Sequence, residues 1–340
     1  MINDNTVKVM SFLRPFGRQF SHPGLQRTLV FLILATVAPI TLIPNANAAM
    51  LKIEEDVAGE LVLAASVASD TLSDLARAYD QGYTAMRRAN PSIDPWLPGE
   101  DTEIVVPSRY ILPESKRRGL VINVPEMRMY FFPKTKGRDA EKIVVTYPIS
   151  IGRQQWNTPH GATKIVAKVK DPNWYPPESV RQEHEEQGDV LPKIVPAGPD
   201  NPLGAYKLRL GLPGYLIHGT NKPYGIGMRV THGCIRMYPK DVESLFGQVP
   251  VGTDVFIVNQ PYKVGLSGGG IYLEVHPHLD EDDEIFRDEF THVVNLIVEK
   301  TAAAESEISW AALKRVLDEK SGLPTLVGRV RQTGLALESP

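Results

Sequence analysis

The only cysteine of the 340-residue chain, Cys234, stands in the run Thr231-His232-Gly233-Cys234-Ile235-Arg236-Met237, two residues after His232. A second histidine, His218, lies 16 residues upstream of Cys234 in Leu216-Ile217-His218-Gly219-Thr220. A thiol attacks as its thiolate, so a catalytic cysteine needs a neighbouring base or a local positive field. An imidazole brought across a loop can be that base, since its unperturbed pKa is about 6.5. Gly233 lets the backbone turn tightly enough for nearby amides to face a developing oxyanion. Arg236 adds a charge able to hold a substrate carboxylate. Each residue also has a plainer use. A His-Gly pair is often a turn with a satisfied histidine, an arginine can simply pair with an acid, and a lone thiol can be buried and inert. A zinc site from His218, His232 and Cys234 has a spacing that matches no standard zinc pattern. Neither a metal nor a cofactor is expected, and a cysteine nucleophile is the reading that uses all of these residues.

Composition narrows the setting. One cysteine excludes an internal disulfide, a CxxC redox pair and a multi-thiolate metal site. A net charge of −3 gives no chain-wide basic field, so no nucleic-acid partner is expected. The 28 prolines and 27 glycines favour turns and short strands over a helical bundle. Lys8, Arg14, Arg18 and Arg27 precede an apolar run, Leu29 to Ile43, and then Ala46-Asn47-Ala48. That order predicts a signal peptide over residues 1–48 and export from the cytoplasm. The apolar run contains Pro39 and falls short of the roughly 20 residues that span a bilayer. The stretch before it is longer than usual, and an uncleaved membrane anchor is the alternative. Exported proteins usually pair their cysteines or lack them, so an odd thiol there points to reactivity.

The elements that must carry these residues are mostly short strands. Leu120–Val124 and Met127–Phe132 flank Pro125-Glu126 as in a hairpin, and Lys142–Ile151, Thr163–Val169, Tyr206–Leu210, Tyr215–Ile217 and Val255–Val258 follow. Turn-rich segments separate them, which predicts a mainly β sandwich or barrel. One short helix is expected over Lys240–Phe246, stopped by Gly247. Upstream, Asp70-Thr71 can cap a helix through Leu72, Leu75, Ala76 and Tyr79. A second helix, Tyr83–Ala89, ends before Asn90-Pro91, and Glu103–Pro107 reads as a strand with Leu61–Leu63 as its partner. Ser115–Gly119 reads as a linker. In the tail, His276-Pro277-His278 beside Asp280–Glu284 offers metal ligands, but such an acidic run more often starts a helix, here Ile285–Val298, with Ile308–Glu319 following.

Two resemblances sharpen this reading. Asp70-Thr71-Leu72, Leu75-Ala76, Asn90-Pro91 and Ile104–Pro107 resemble a LysM module, which implies a βααβ fold and affinity for peptidoglycan glycans; Ser69 stands where that module usually has glycine. Ile217–Thr220 with Thr231–Met237 resembles the signature of the YkuD-type L,D-transpeptidases. Gly152-Arg153, Thr158–Gly161, Asn173–Pro177, Pro199–Gly204 and Asp241 fit the same pattern. Thr231 replaces the commoner serine, and His160 sits where threonine is usual. Gly270–Val275 is similar to the extension of the periplasmic ErfK/YbiS-like branch.

The resemblance implies a mixed-sheet β-sandwich of L,D-transpeptidase type over 119–259, a LysM-like module over 49–114 and a partly helical C-terminal extension over 260–340. It implies that Cys234 attacks the carbonyl between the L-centre of a diamino acid and the terminal D-alanine of a tetrapeptide stem, leaving a thioester that an amine resolves. His218 would be general base and acid, held by the Gly219 carbonyl. Gly233 and Cys234 would give oxyanion amides, while Thr231, His232 and Arg236 would shape the substrate pocket. Expected partners are peptidoglycan and, as one acceptor, an outer-membrane lipoprotein. An L,D-carboxypeptidase-like hydrolase and a non-catalytic cell-wall binding protein are the competing readings.

Overall fold

The computed structural model describes residues 50–134, 143–302 and 304–331, so the signal peptide read over 1–48 lies outside the described residues. The described chain begins with β1 (Met50–Glu54), β2 (Val57–Gly59), β3 (Val62–Ala65), α1 (Leu72–Ala78), α2 (Tyr83–Ala89), β4 (Glu103–Val106) and β5 (Arg109–Ile111). The central region holds β6 (Gly119–Asn123), β7 (Arg128–Phe132), β8 (Ile143–Gly152), β9 (Gly161–Lys170), α3 (Glu178–Glu186), β10 (Tyr206–Leu210), β11 (Leu216–His218), β12 (Arg229–Thr231), β13 (Ile235–Met237), α4 (Pro239–Gln248) and β14 (Asp254–Val258). The last part is β15 (Tyr262–Ser267), β16 (Gly270–Val275), α5 (Glu289–Thr301), β17 (Ser306–Ile308), α6 (Trp310–Glu319) and β18 (Thr325–Val330).

Pairing in the central region runs β13-β11-β10-β9-β14-β6-β7-β8, and β8 pairs with β13 again. The expected sandwich therefore has its two layers joined into a closed ring. The cause is the length of β8, whose ten residues set Val145 opposite Phe131 of β7 and Ile149 opposite Met237 of β13. The sheet is mixed: β6 and β14 are parallel, as are β11 and β13, and the remaining pairs in the ring are antiparallel. Leu120, Ile122, Met129, Tyr147, Ile149, Ile165, Leu208, Ile217, Ile235 and Met237 fill its interior. A fully buried side chain of this kind contributes about 2 kcal/mol through transfer from water, so this interior is the main support of the strands that carry the site. α4 runs on through Gly247 to Gln248, because the helix-breaking signal is Pro250, which disfavours helical geometry at Val249.

Residues 62–106 form a β-α-α-β unit in which β3 and β4 pair antiparallel over a small core of Leu72, Leu75, Met86 and Ile104. Thr71 caps α1 reciprocally with Asp74. The Asn90 side chain donates to the Met86 and Val105 carbonyls, each at 2.8 Å, tying α2 to β4. The remainder of the 49–114 segment belongs elsewhere: β1 pairs with β8, and β5 joins through β2. Tyr110, Leu112, Val121, Tyr130 and Val144 share one core there, which is why these flanking strands extend the central sheet.

In the C-terminal part, β15-β16-β18-β17 form a second sheet against which α5 and α6 pack. α5 starts at Glu289, later than the apolar pattern suggests, because Asp288 caps it and Asp280–Asp282 form a separate 3-10 turn. α6 begins after the Ser309 cap, and Ile308 pairs in β17.

Candidate active site

Three short strands floor the site. Lys207 on β10 lies opposite His218 on β11, and His218 lies opposite Arg236 on β13. Side chains alternate faces along a strand, so Leu208, Ile217 and Ile235 point into the core, where they are at most 1% exposed. Their neighbours Lys207, Arg209, Leu216, His218, Cys234 and Arg236 all line one cleft of about 800 Å³. Trp174, Tyr175 and Pro177, from the long connection between β9 and β10, form an apolar wall of that cleft.

His218 is buried, and its Nδ1 lies 2.7 Å from the Gly219 carbonyl. A carbonyl only accepts, so Nδ1 carries the proton and Nε2 keeps its lone pair. Burial and the charges of Arg236 and Lys207 outweigh the Gly219 hydrogen bond and hold the imidazole down to about 3. It is neutral at working pH and able to accept a proton. Cys234 is half-buried, and its Sγ lies 3.7 Å from the Gly214 carbonyl. Burial raises the thiol above its ordinary range, against a Leu216 backbone hydrogen bond and the Arg236 charge, which lower it. The resting pair is a neutral thiol and a neutral imidazole, so deprotonation must accompany attack.

The turn before Cys234 needs its glycine. Gly233 has φ of 92°, and a Cβ there would stand 3.0 Å from the Tyr215 ring. Thr231 donates its hydroxyl to the Cys234 carbonyl at 2.6 Å, which closes the turn before Cys234, and the residue also lines the cleft. Thr158 braces the same turn from outside, donating to the Gly233 carbonyl at 3.0 Å.

His232 lines the cleft within a cluster that the sequence reading did not single out. Its Nε2 is 2.9 Å from Glu183 Oε2 and 3.1 Å from Arg153 Nη2, and Trp156 packs edge-on against the ring at 4.9 Å. Arg153 also pairs with Glu183. These two partners hold the Glu183 carboxyl at about 2. Glu183 sits on α3, so this helix of the β9–β10 connection is tied directly to the turn before Cys234. Only Val180 of α3 is buried, so no apolar stripe marks the helix in the sequence. The surviving clue was Pro177-Glu178 at its start and the Glu178–Arg181 pair.

The tail histidines are divided between separate acids. His276 Nε2 is 2.7 Å from Glu274, and His278 Nε2 is 3.0 Å from Asp283. Glu126, Glu274 and His276 converge closely enough to hold a metal, but the Lys263 ammonium already stands 2.8 Å from Glu126 and 2.7 Å from Glu274. That lysine supplies the positive charge the two acids require.

The chain resembles known proteins over most of its length. The YkuD family, described as the L,D-transpeptidase catalytic domain, matches residues 117–257. The probable L,D-transpeptidase YcfS of Escherichia coli (strain K12) is 37% identical over 268 residues, covering 76% of this chain and 81% of that protein. The probable L,D-transpeptidase ErfK/SrfK of Salmonella typhimurium is 38% identical over 263 residues, covering 76% and 83%. The probable L,D-transpeptidase YbiS of Escherichia coli (strain K12) is 37% identical over 258 residues, covering 74% and 82%. The chain is thus an enzyme of the YkuD family of L,D-transpeptidases.

Proposed function

We propose that this enzyme transfers peptidoglycan stem peptides through a thioester on Cys234, outside the cytoplasm. The observation that carries the reading is a neutral base, His218, on the strand beside the turn that holds the chain's only thiol, both lining one cleft. His218 Nε2 takes the Sγ proton as sulfur attacks the carbonyl that precedes the terminal D-alanine. Amides of Gly233 and Cys234 receive the oxyanion. His218 then returns the proton to the departing D-alanine nitrogen, the C–N bond breaks, and the thioester remains. An incoming amine reverses the sequence: it attacks the thioester, loses its proton to His218, and the C–S bond breaks to restore the thiol. Arg236 holds a substrate carboxylate.

The acceptor is an amine of a second stem or a lysine of an outer-membrane lipoprotein. The apolar wall of Trp174 and Tyr175 beside the thiol supports an amine over water, because it limits the water that reaches the thioester. The β-α-α-β unit, with Trp96 and Leu97 exposed on the loop before β4, serves as a LysM-like glycan-binding module. The basic, apolar and small-residue order of residues 1–48 supports export to the periplasm. Purified enzyme incubated with disaccharide tetrapeptides should release D-alanine and give dimers or amine-exchanged stems by mass spectrometry. Tripeptides as the sole product would assign the enzyme to hydrolysis instead.

A further inference from the structure

The cleft carries more positive charge than one substrate carboxylate needs. Lys207, Arg209 and Arg236 all line it, and no aspartate or glutamate does. Among the described residues, these three cations make no ion pair or hydrogen bond, and Arg236 Nε is buried without a partner. Desolvation and the nearby Arg209 charge lower the Lys207 ammonium, so the fold holds this lysine there at a cost. Lys207 and Arg236, desolvated without a partner, are characteristic of a ligand site rather than of scaffolding, and the exposed Arg209 adds its charge at the rim beside Lys207.

Their placement is ordered. Lys207, His218 and Arg236 occupy one row across three neighbouring strands. Adjacent strands lie about 4.8 Å apart, so the two cations flank the base from opposite sides. Arg209 lies two residues along β10 on the Lys207 side, opposite Leu216. The stem in the proposed reaction has the matching arrangement. The departing D-alanine carries a carboxylate on one side of the scissile carbonyl. On the other side, the diamino acid carries a second carboxylate if its far centre is a free acid.

We propose that Lys207 and Arg209 form a second carboxylate subsite, which selects donor stems whose diamino acid keeps a free carboxylate at the centre remote from the scissile bond. This rests on the stem-peptide reading above and adds the chemical class of the donor. Arg236 remains the partner of the D-alanine carboxylate. A stem with lysine at that position, or with the remote carboxylate amidated, leaves Lys207 and Arg209 unpaired in the complex as they are in the free enzyme.

The test compares two synthetic tetrapeptide stems, one with free meso-diaminopimelate and one with its remote carboxylate amidated, by D-alanine release. The wild-type enzyme should favour the free acid by about tenfold or more in kcat/KM, as expected for a charge-assisted contact. In the double variant Lys207→Gln/Arg209→Gln that preference should collapse to about twofold, through KM far more than kcat. Lys207→Arg/Arg209→Lys, which keeps both charges, should restore most of it and so exclude a folding defect. Equal use of both stems by the wild-type enzyme, or a preference that survives in the double variant, would overturn the subsite while leaving the transfer reaction standing. A wild-type enzyme that releases D-alanine from neither stem would overturn the stem-peptide reading and the subsite together.

Discussion

At the scale of single residues, the proposed transfer depends on His218 being neutral when the substrate arrives. Burial, with the charges of Arg236 and Lys207, lowers its pKa to about 3 from an ordinary 6.5. The unfolded chain binds this proton once pH drops below about 6.5, whereas the folded protein binds it only near pH 3. The stabilisation from a neutral His218 is therefore complete above pH 6.5 and is lost as the medium is acidified toward 3. Replacing His218 with Gln removes that dependence. Urea unfolding at pH 7, 5.5 and 4 should show the variant gaining on the wild type by up to about 3 kcal/mol at the lowest pH. Parallel stability curves would contradict the assignment. The sequence singles out Cys234, His218, His232 and Arg236 by their unusual spacing around one thiol, and in the structure all four line one cleft. Thr231 was read as a substrate contact; it lines the cleft, and its hydroxyl also donates to the Cys234 carbonyl. No local sequence pattern distinguishes those two uses of a hydroxyl.

At the scale of elements, the longer strands of the central sheet were legible, whereas the three-residue strands β12 and β13 around Cys234 and the helix α3 were not. Tyr206–Leu210 is predicted and observed with the same limits, because alternation of Leu208 and Leu210 with Lys207 and Arg209 marks one buried and one open face. α3 lacks such a signal, since it rests on a single buried valine and is held by ion pairs instead. Through those pairs Glu183 anchors the helix to Arg153 and to His232 in the turn before Cys234. Glu183→Gln keeps the shape but removes the charge that both partners face. Steady-state kinetics should show kcat/KM reduced by about tenfold, as for a lost hydrogen-bonded charge at a site, with the unfolding midpoint little changed because the carboxylate is near the surface. Wild-type kinetics in that variant would mean that α3 only covers the cleft.

At the scale of the whole molecule, buried polar contacts join the parts. Tyr83 N donates to the Ile226 carbonyl at 3.0 Å, and Arg128, Tyr110 and Tyr238 all bond to Gln81, fastening the β-α-α-β unit to the sheet beneath it. On the other side, Lys263 of β15 is 3% exposed and bridges Glu126, Glu274 and the Ile111 carbonyl, the last at 2.7 Å. Burial pushes the Glu126 carboxyl up, but Lys263, His276 and hydrogen bonds from Lys263 and Tyr130 outweigh it and hold it at about 2. Lys263→Met would strand two carboxylates in a dry interface, at a cost of about 3–5 kcal/mol. The variant should unfold at correspondingly lower urea, and adding Glu126→Gln should recover part of the loss. A single variant within about 1 kcal/mol of the wild type would show that the cluster tolerates the loss of its cation. This arrangement was invisible in the sequence, where Glu126 lies more than a hundred residues before both Lys263 and Glu274. The pairing of β15 with β16 sets Lys263 opposite Glu274, and Lys263 then reaches Glu126 in the β6–β7 turn.

The central claim is that Cys234 carries the stem peptide as a thioester with His218 as its base. Intact-protein mass spectrometry of the enzyme mixed with a tetrapeptide stem and no acceptor tests it most directly. The account predicts an adduct with the mass of the stem less its D-alanine, mapped to Cys234 by proteolysis and absent from Cys234→Ala, which should also release no D-alanine. D-Alanine release by Cys234→Ala at the wild-type rate would contradict it.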